Sequence, residues 1–189
     1  SEFTEHVARL KSLQERFGAQ HEEGAVREAA RLGATLASHD DTTEAHVATS
    51  AQNGVGFAEF PTTFEAARAC RAHGIHVMMG APNIIRGGSH SGNVSALDLA
   101  KADLLDIISS DYVPAALLLS AFRLAHVWGD MARAVACVTA APAQVAGLAD
   151  RGTLQVGLRA DIVRAACLPG TDGDPPIIRG VWAQGNRVV

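Results

Sequence analysis

Three titratable side chains stand in a row at His39-Asp40-Asp41. The apolar run before them, residues 34–38, reads as a strand, and the text from Thr43 onward reads as a helix start. A neutral imidazole flanked by carboxylates suits a divalent metal such as zinc or manganese. A carboxylate beside such a metal can act as general base on the bound water, a role open to Asp40. The same junction also admits a plain helix cap by Asp41 or Thr42, and the two readings can hold together. Asp111, in the string IISSDYVP, poses a similar choice. At a strand end it can bind metal or take a proton; as a cap it would begin the helix after Pro114.

The string MGAPNIIRGGSHSGN, residues 79–93, gathers Asn83, Arg86, Ser89, His90, Ser91 and Asn93 in what reads as one loop of about 15 residues. Backbone N–H groups and a guanidinium in such a loop can meet phosphate oxygens. It is not a Walker loop, because no Gly-Lys-Ser/Thr closes it; a surface turn is the plainer alternative. Glu59 lies in strand text between Phe57 and Phe60. A buried carboxylate is costly without a partner, so Glu59 either faces outward or belongs to a site. His73 and His76 flank Gly74, which breaks helical spacing, and read as structural. His6, His21, His46 and His126 sit in helical text as surface or packing residues.

The elements that must hold these groups follow from periodicity. A helix over about residues 5–17, ended by Gly18, precedes a second over 22–33 closed by Gly33. Four short apolar strands then alternate with helices: residues 34–38, 55–61, 75–82 and 106–111. One continuous helix is expected over 130–148, after the apolar helix 114–128. Alternating strands and helices of this length predict repeated β-α units with a parallel sheet. His39, Glu59, Asn83 and Asp111 all fall at strand ends, the face from which a (β/α)8 barrel builds its active site. From about residue 148 the helical period stops, and a small β-module follows with a hairpin about Gln184-Gly185-Asn186. The unit count is short: a barrel takes on the order of 250 residues, and only about half its units precede the β-tail.

Hydrophobic residues make up 48% of the chain and charged ones 19%, a globular composition. A formal net charge of -4 argues against a nucleic-acid or anionic-membrane surface. Cys70, Cys137 and Cys167 are scattered, as core thiols in a reducing, cytoplasmic setting would be. There is no apolar signal-like segment at the start and no uncharged run of membrane-spanning length.

The strings LASHDDTTEAHV, AEFPTTFEAARACRAHGIHVMMGAPNIIRGGSHSGNVSA and IISSDYVPAALL closely resemble the PhnM family of the amidohydrolase superfamily, which works in bacterial phosphonate breakdown. The tail from Asp150 is similar to the closing β-module of that superfamily. The resemblance implies an α/β fold, the C-terminal part of a distorted (β/α)8 amidohydrolase barrel plus a small C-terminal β-module. Residues 1–147 would supply about strands six to eight with their helices, and 148–189 the C-terminal part of a β-sandwich domain.

It also implies hydrolysis of α-D-ribose 1-methylphosphonate 5-triphosphate by metal-activated water, giving the 5-phosphate and pyrophosphate. His39 would match the sixth-strand histidine ligand. Asp111 would match the eighth-strand aspartate, which binds metal and moves a proton. The metal would be zinc, with manganese or iron as alternatives. Arg86, Ser89, His90, Ser91 and Asn93, with Asn83 and Glu59, would bind the substrate. The family's first-, fourth- and fifth-strand ligands have no counterpart here, so the resemblance is to the C-terminal half. The expected partners are therefore a phosphorylated ribose phosphonate and either further copies in a homo-oligomer or the N-terminal half. Cleavage of an amide or cyclic amide, and a non-catalytic fragment, are the competing readings.

Overall fold

The structure, a computed structural model, describes residues 2–89, 91–166 and 176–189. His90 and Cys167 therefore lie outside the described residues. The chain divides into two compact units, residues 1–36 and 37–189.

The first unit is one helix, α1 (Glu2–Leu32), not the two expected. Gly18 and Gly24 sit inside it, each at roughly 1 kcal/mol relative to alanine, which a helix of 31 residues absorbs. It stops where the chain turns left-handed at Gly33 (φ +63), with Ala34 N–H bonded back to Ala29 O at 2.9 Å.

The second unit opens on a four-stranded sheet in the order β1 (Leu36–His39), β2 (Val55–Glu59), β3 (His76–Gly80), β4 (Ile107–Ser109). The β2–β3 and β3–β4 pairs are parallel, with Glu59 opposite Met78 and Gly80 opposite Ser109. Two strands thus lie between the strand of His39 and that of Asp111, where the resemblance implied one. Helices α2 (Glu44–Gln52) and α3 (Phe64–Ala72) follow β1 and β2. The core is built on Val47, Val77, Ile84, Leu99, Ile107 and Leu124, all fully buried, and is filled out by alanines that let helices approach the sheet closely.

Between β3 and β4 the structure differs from the expected loop. Residues 81–86 form a helix, α4 (Ala81–Arg86), and α5 (Ala96–Lys101) follows. Pro82 reads as a breaker in the sequence, yet in the first turn of a helix its missing N–H has no partner to lose. After β4 come α6 (Ala116–Trp128), α7 (Met131–Ala136) and α8 (Ala140–Val145). The last two replace the single helix expected. The break at Cys137–Thr139 frees the Cys137 carbonyl to accept from Ile108 N–H of β4 at 3.0 Å, and Thr139 (φ -134, ψ -80) leaves the helical region.

The tail forms a second, antiparallel sheet of β5 (Ile162–Ala166), β6 (Ile177–Ala183) and β7 (Asn186–Arg187). Ala183 pairs with Asn186, so Gln184 (φ +51) and Gly185 (φ +80) form a two-residue turn of the type that matches strand twist. Asp161 Oδ1 accepts from Gln184 N–H at 2.9 Å and holds that turn. The parallel sheet lies wholly before residue 148 and the antiparallel sheet wholly after it.

Candidate active site

The rim of the parallel sheet is laid out by a 20-residue repeat. His39-Asp40-Asp41-Thr42-Thr43 is matched by Glu59-Phe60-Pro61-Thr62-Thr63. In both, a strand ends, the next residue turns left-handed (Asp40 φ +60, Phe60 φ +58), and the second threonine caps a helix. Thr43 Oγ1 accepts from His46 N–H at 3.3 Å and Thr63 Oγ1 from Ala66 N–H at 3.0 Å. The cap is therefore Thr43, neither Asp41 nor Thr42 as expected, because the left-handed residue delays the helix start. Backbone bonds link successive units: Asp40 N–H donates forward to Glu59 O at 3.0 Å and Phe60 N–H to Met78 O at 2.9 Å, and Thr62 N–H donates back to Asp41 O at 2.9 Å. The duplicated Thr-Thr and the paired Gly54 and Gly74, also 20 residues apart (74 − 54), were the sequence signal for this repeat.

A cleft of about 420 Å³ opens at this rim. His39, Asp40, Asn83, Arg86, Ser89, Ser91, Asn93 and Asp111 all line it, together with Phe60 and Tyr112. Residues from β1, α4, the following loop and the end of β4 thus converge on one space. Glu59, expected among the substrate contacts, is not one of the lining residues.

The string His39-Asp40-Asp41 is itself a His-x-Asp spacing, but the structure splits it. His39 and Asp40 face the cleft, with His39 Nδ1 3.0 Å from Asp40 Oδ2. The imidazole also stands edge-on to Phe60, ring centres 5.4 Å apart. Asp41 is buried, its Oδ2 accepting from Ser38 Oγ at 2.6 Å and Ser50 Oγ at 3.2 Å. That carboxylate ties the end of β1 to α2 and is satisfied there.

Asp111 follows β4 in a left-handed conformation (φ +50). Its Oδ1 accepts from Tyr112 N–H at 2.9 Å, and its Oδ2 lies over Gly80 of β3. Asn83 has both ends of its amide occupied: Oδ1 accepts from Ala96 N–H at 2.9 Å and Nδ2 donates to Val94 O at 3.3 Å. It fastens the loop 87–95 across α4. Ser89 Oγ accepts from Ser91 N–H at 3.1 Å. Arg86 lines the cleft and makes no ion pair with a carboxylate among the described residues.

An imidazole and a carboxylate sharing one cleft are donors of the right chemistry for a divalent cation. They are too few to close a shell: among the described residues no group of three or more His, Cys, Asp or Glu comes together to hold a metal.

The chain belongs to the amidohydrolase family, whose pattern matches residues 17–188. Members of that family are in general metal-dependent. The chain is 56% identical over 156 residues to the α-D-ribose 1-methylphosphonate 5-triphosphate diphosphatase of Escherichia coli strain K12. The match takes in 81% of this chain and 40% of that protein, so the chain spans less than half of its curated relative. Among solved structures, a prolidase complexed with N-methylphosphonate-L-proline is 20% identical, with a TM-score of 0.64 over 86% of this chain and 47% of its own. Ochratoxinase from A. niger is 18% identical, with a TM-score of 0.62 over 86% of this chain and 43% of its own. These two show the fold alone, an α/β architecture shared over 86% of this chain.

Proposed function

We propose that this chain is the C-terminal part of a metal-dependent diphosphatase. Its substrate is α-D-ribose 1-methylphosphonate 5-triphosphate, and water cleaves the bond between the α- and β-phosphoryl groups to give the 5-phosphate and pyrophosphate. The observation that carries this is the cleft itself. It brings a strand-end imidazole and carboxylate together with an arginine and a loop of glycine and serine, in a chain 56% identical to a protein of that name.

His39 and Asp111 would hold the cation, zinc in the first instance with manganese or iron as alternatives. When bound, it activates water and offsets phosphate charge. Asp40, whose Oδ2 lies 3.0 Å from His39 Nδ1, would steer the imidazole, the part carboxylates commonly play toward metal-binding histidines. This is a narrower role than the general base expected from the sequence. Asp111, whose Oδ1 accepts from Tyr112 N–H, would use its Oδ2 to take a proton from the attacking water.

Arg86, the hydroxyls of Ser89 and Ser91, Asn93 and the backbone amides of the loop receive phosphate oxygens, as planar guanidinium and N–H donors do. The remaining metal ligands come from polypeptide outside this chain, and the buried thiols suit a reducing, cytoplasmic setting.

The test is Arg86→Ala in the full-length protein, assayed on the ribose triphosphate and, in parallel, on a nucleoside triphosphate and cyclic amides. Loss of a charge-assisted contact of about 1.5–3 kcal/mol should raise KM roughly 10- to 100-fold. An unchanged KM, or turnover of the cyclic amides in place of the triphosphate, would end this reading.

A further inference from the structure

Gly80 ends β3 at the floor of the cleft, directly across from Ser109 of β4. Its backbone (φ -78, ψ 135) lies where alanine is at ease, so chain conformation does not call for glycine here. What calls for it is Asp111. A Cβ at position 80 would stand 2.8 Å from Asp111 Oδ2, 3.3 Å from its Cβ and 3.4 Å from its Cγ. The first distance is closer than a methyl carbon and an oxygen can pack, and the struck atom is the carboxylate oxygen left over once Oδ1 is bonded to Tyr112 N–H. Two features therefore fix that oxygen: a left-handed backbone at Asp111 (φ +50) and an empty place on the neighbouring strand.

We infer that Gly80 is a positioning residue for Asp111: its missing side chain is the seat in which the Asp111 carboxylate rests, and any side chain there displaces Oδ2 from the cleft. This rests on the reading of Asp111 as a metal-binding group. It adds that the geometry of that group is set from a different strand.

The experiment uses the full-length protein with Gly80→Ala, Asp111→Asn and the two combined. The readouts are zinc affinity of the apo-protein by competition with a chelating indicator, kcat and KM, and melting temperature. Gly80→Ala should bind zinc about 10- to 100-fold more weakly, the range found when groups that orient metal ligands are removed. It should lower kcat with little change in KM. In the Asp111→Asn background the same glycine substitution should add less than twofold to the loss of zinc affinity, because the group it acts through has already been altered.

Wild-type zinc affinity in Gly80→Ala overturns the inference, as does an equal loss with and without Asp111→Asn. Wild-type affinity in Asp111→Asn overturns the metal reading of Asp111 itself, and this inference with it. Should Gly80→Ala lower the melting temperature markedly, adding Asp111→Gly, which removes the oxygen that the new methyl strikes and tolerates the left-handed backbone there, should recover most of the loss; an unrelieved loss also overturns it.

Discussion

Asp41 shows how one residue type serves two ends within three positions. Its neighbours in the string look into the cleft, while Asp41 turns inward to two serine hydroxyls and has 7% of its surface exposed. Removing it strands both donors and the end of β1. Asp41→Ala should therefore destabilise the fold by about 2–3 kcal/mol, the range for buried bonds to a charged group. Urea unfolding checks this, and a loss under about 0.5 kcal/mol, the level of ordinary surface substitutions, would show the carboxylate to be dispensable. The sequence singled out this junction, because three titratable groups after an apolar run are conspicuous. It did not reveal which group turned inward. That depends on the left-handed turn at Asp40, and an aspartate in that conformation looks the same in the sequence as any other.

At the scale of elements, the short helix α4 matters most, since it carries Asn83 and Arg86 into the cleft. Six residues give few internal bonds, and the carbonyls at its end are left without helical partners. Helix α6 supplies one of them and braces the first turn as well. Arg123 Nη1 donates to Ile85 O at 2.8 Å, one residue before Arg86, and the buried Ser120 Oγ donates to Ala81 O at 3.2 Å. Arg123→Met keeps the aliphatic stem and removes only the donor. It should raise KM by roughly 3- to 10-fold through loss of about 1 kcal/mol at the seat of Arg86, with kcat held. Steady-state kinetics on the full-length protein would show an unaltered KM if α4 held its place unaided. The strands around this helix were legible as apolar runs bounded by glycines. The helix itself was not, because Pro82 and the glycines after it carry the marks of a loop, and only packing against α6 tells the difference. Helix α1 erred the other way: Gly18 has the look of a stop, yet the chain runs through it.

The whole molecule carries a pH limit that follows from its small, dense core. Cys70 and Cys137 are both buried, and burial is the main cause that pushes each thiol up to about 11 from an ordinary 9. The charge of Asp41 adds to this at Cys70, while Arg133 works against it at Cys137. Between those values the unfolded chain has released protons that the folded chain keeps. The unfolded state then binds fewer protons, so stability is full below about pH 9 and falls as pH rises toward 11. Melting temperatures taken from pH 7 to 11 should hold level and then drop, and Cys70→Ala with Cys137→Ala should flatten the drop; an equal decline in that variant would exclude the thiols as its source. At this scale the sequence disclosed the alternation of strand and helix and the separate β-tail. The 20-residue repeat went unseen because its two copies share turn geometry and capping threonines, while the residue that ends the strand changes from His39 to Glu59.

Asp40 and Asp111 share a handedness, and this bears on how the cleft can be interrogated. Alanine at either position gives up both the carboxylate and a backbone that alanine adopts only at about 1–2 kcal/mol. Scanning these sites with alanine would add a folding penalty to a chemical one and inflate the apparent importance of each. Asparagine tolerates the same twist of the chain and differs from aspartate chiefly in charge, so it is the substitution by which the electrical contribution of either residue can be weighed alone.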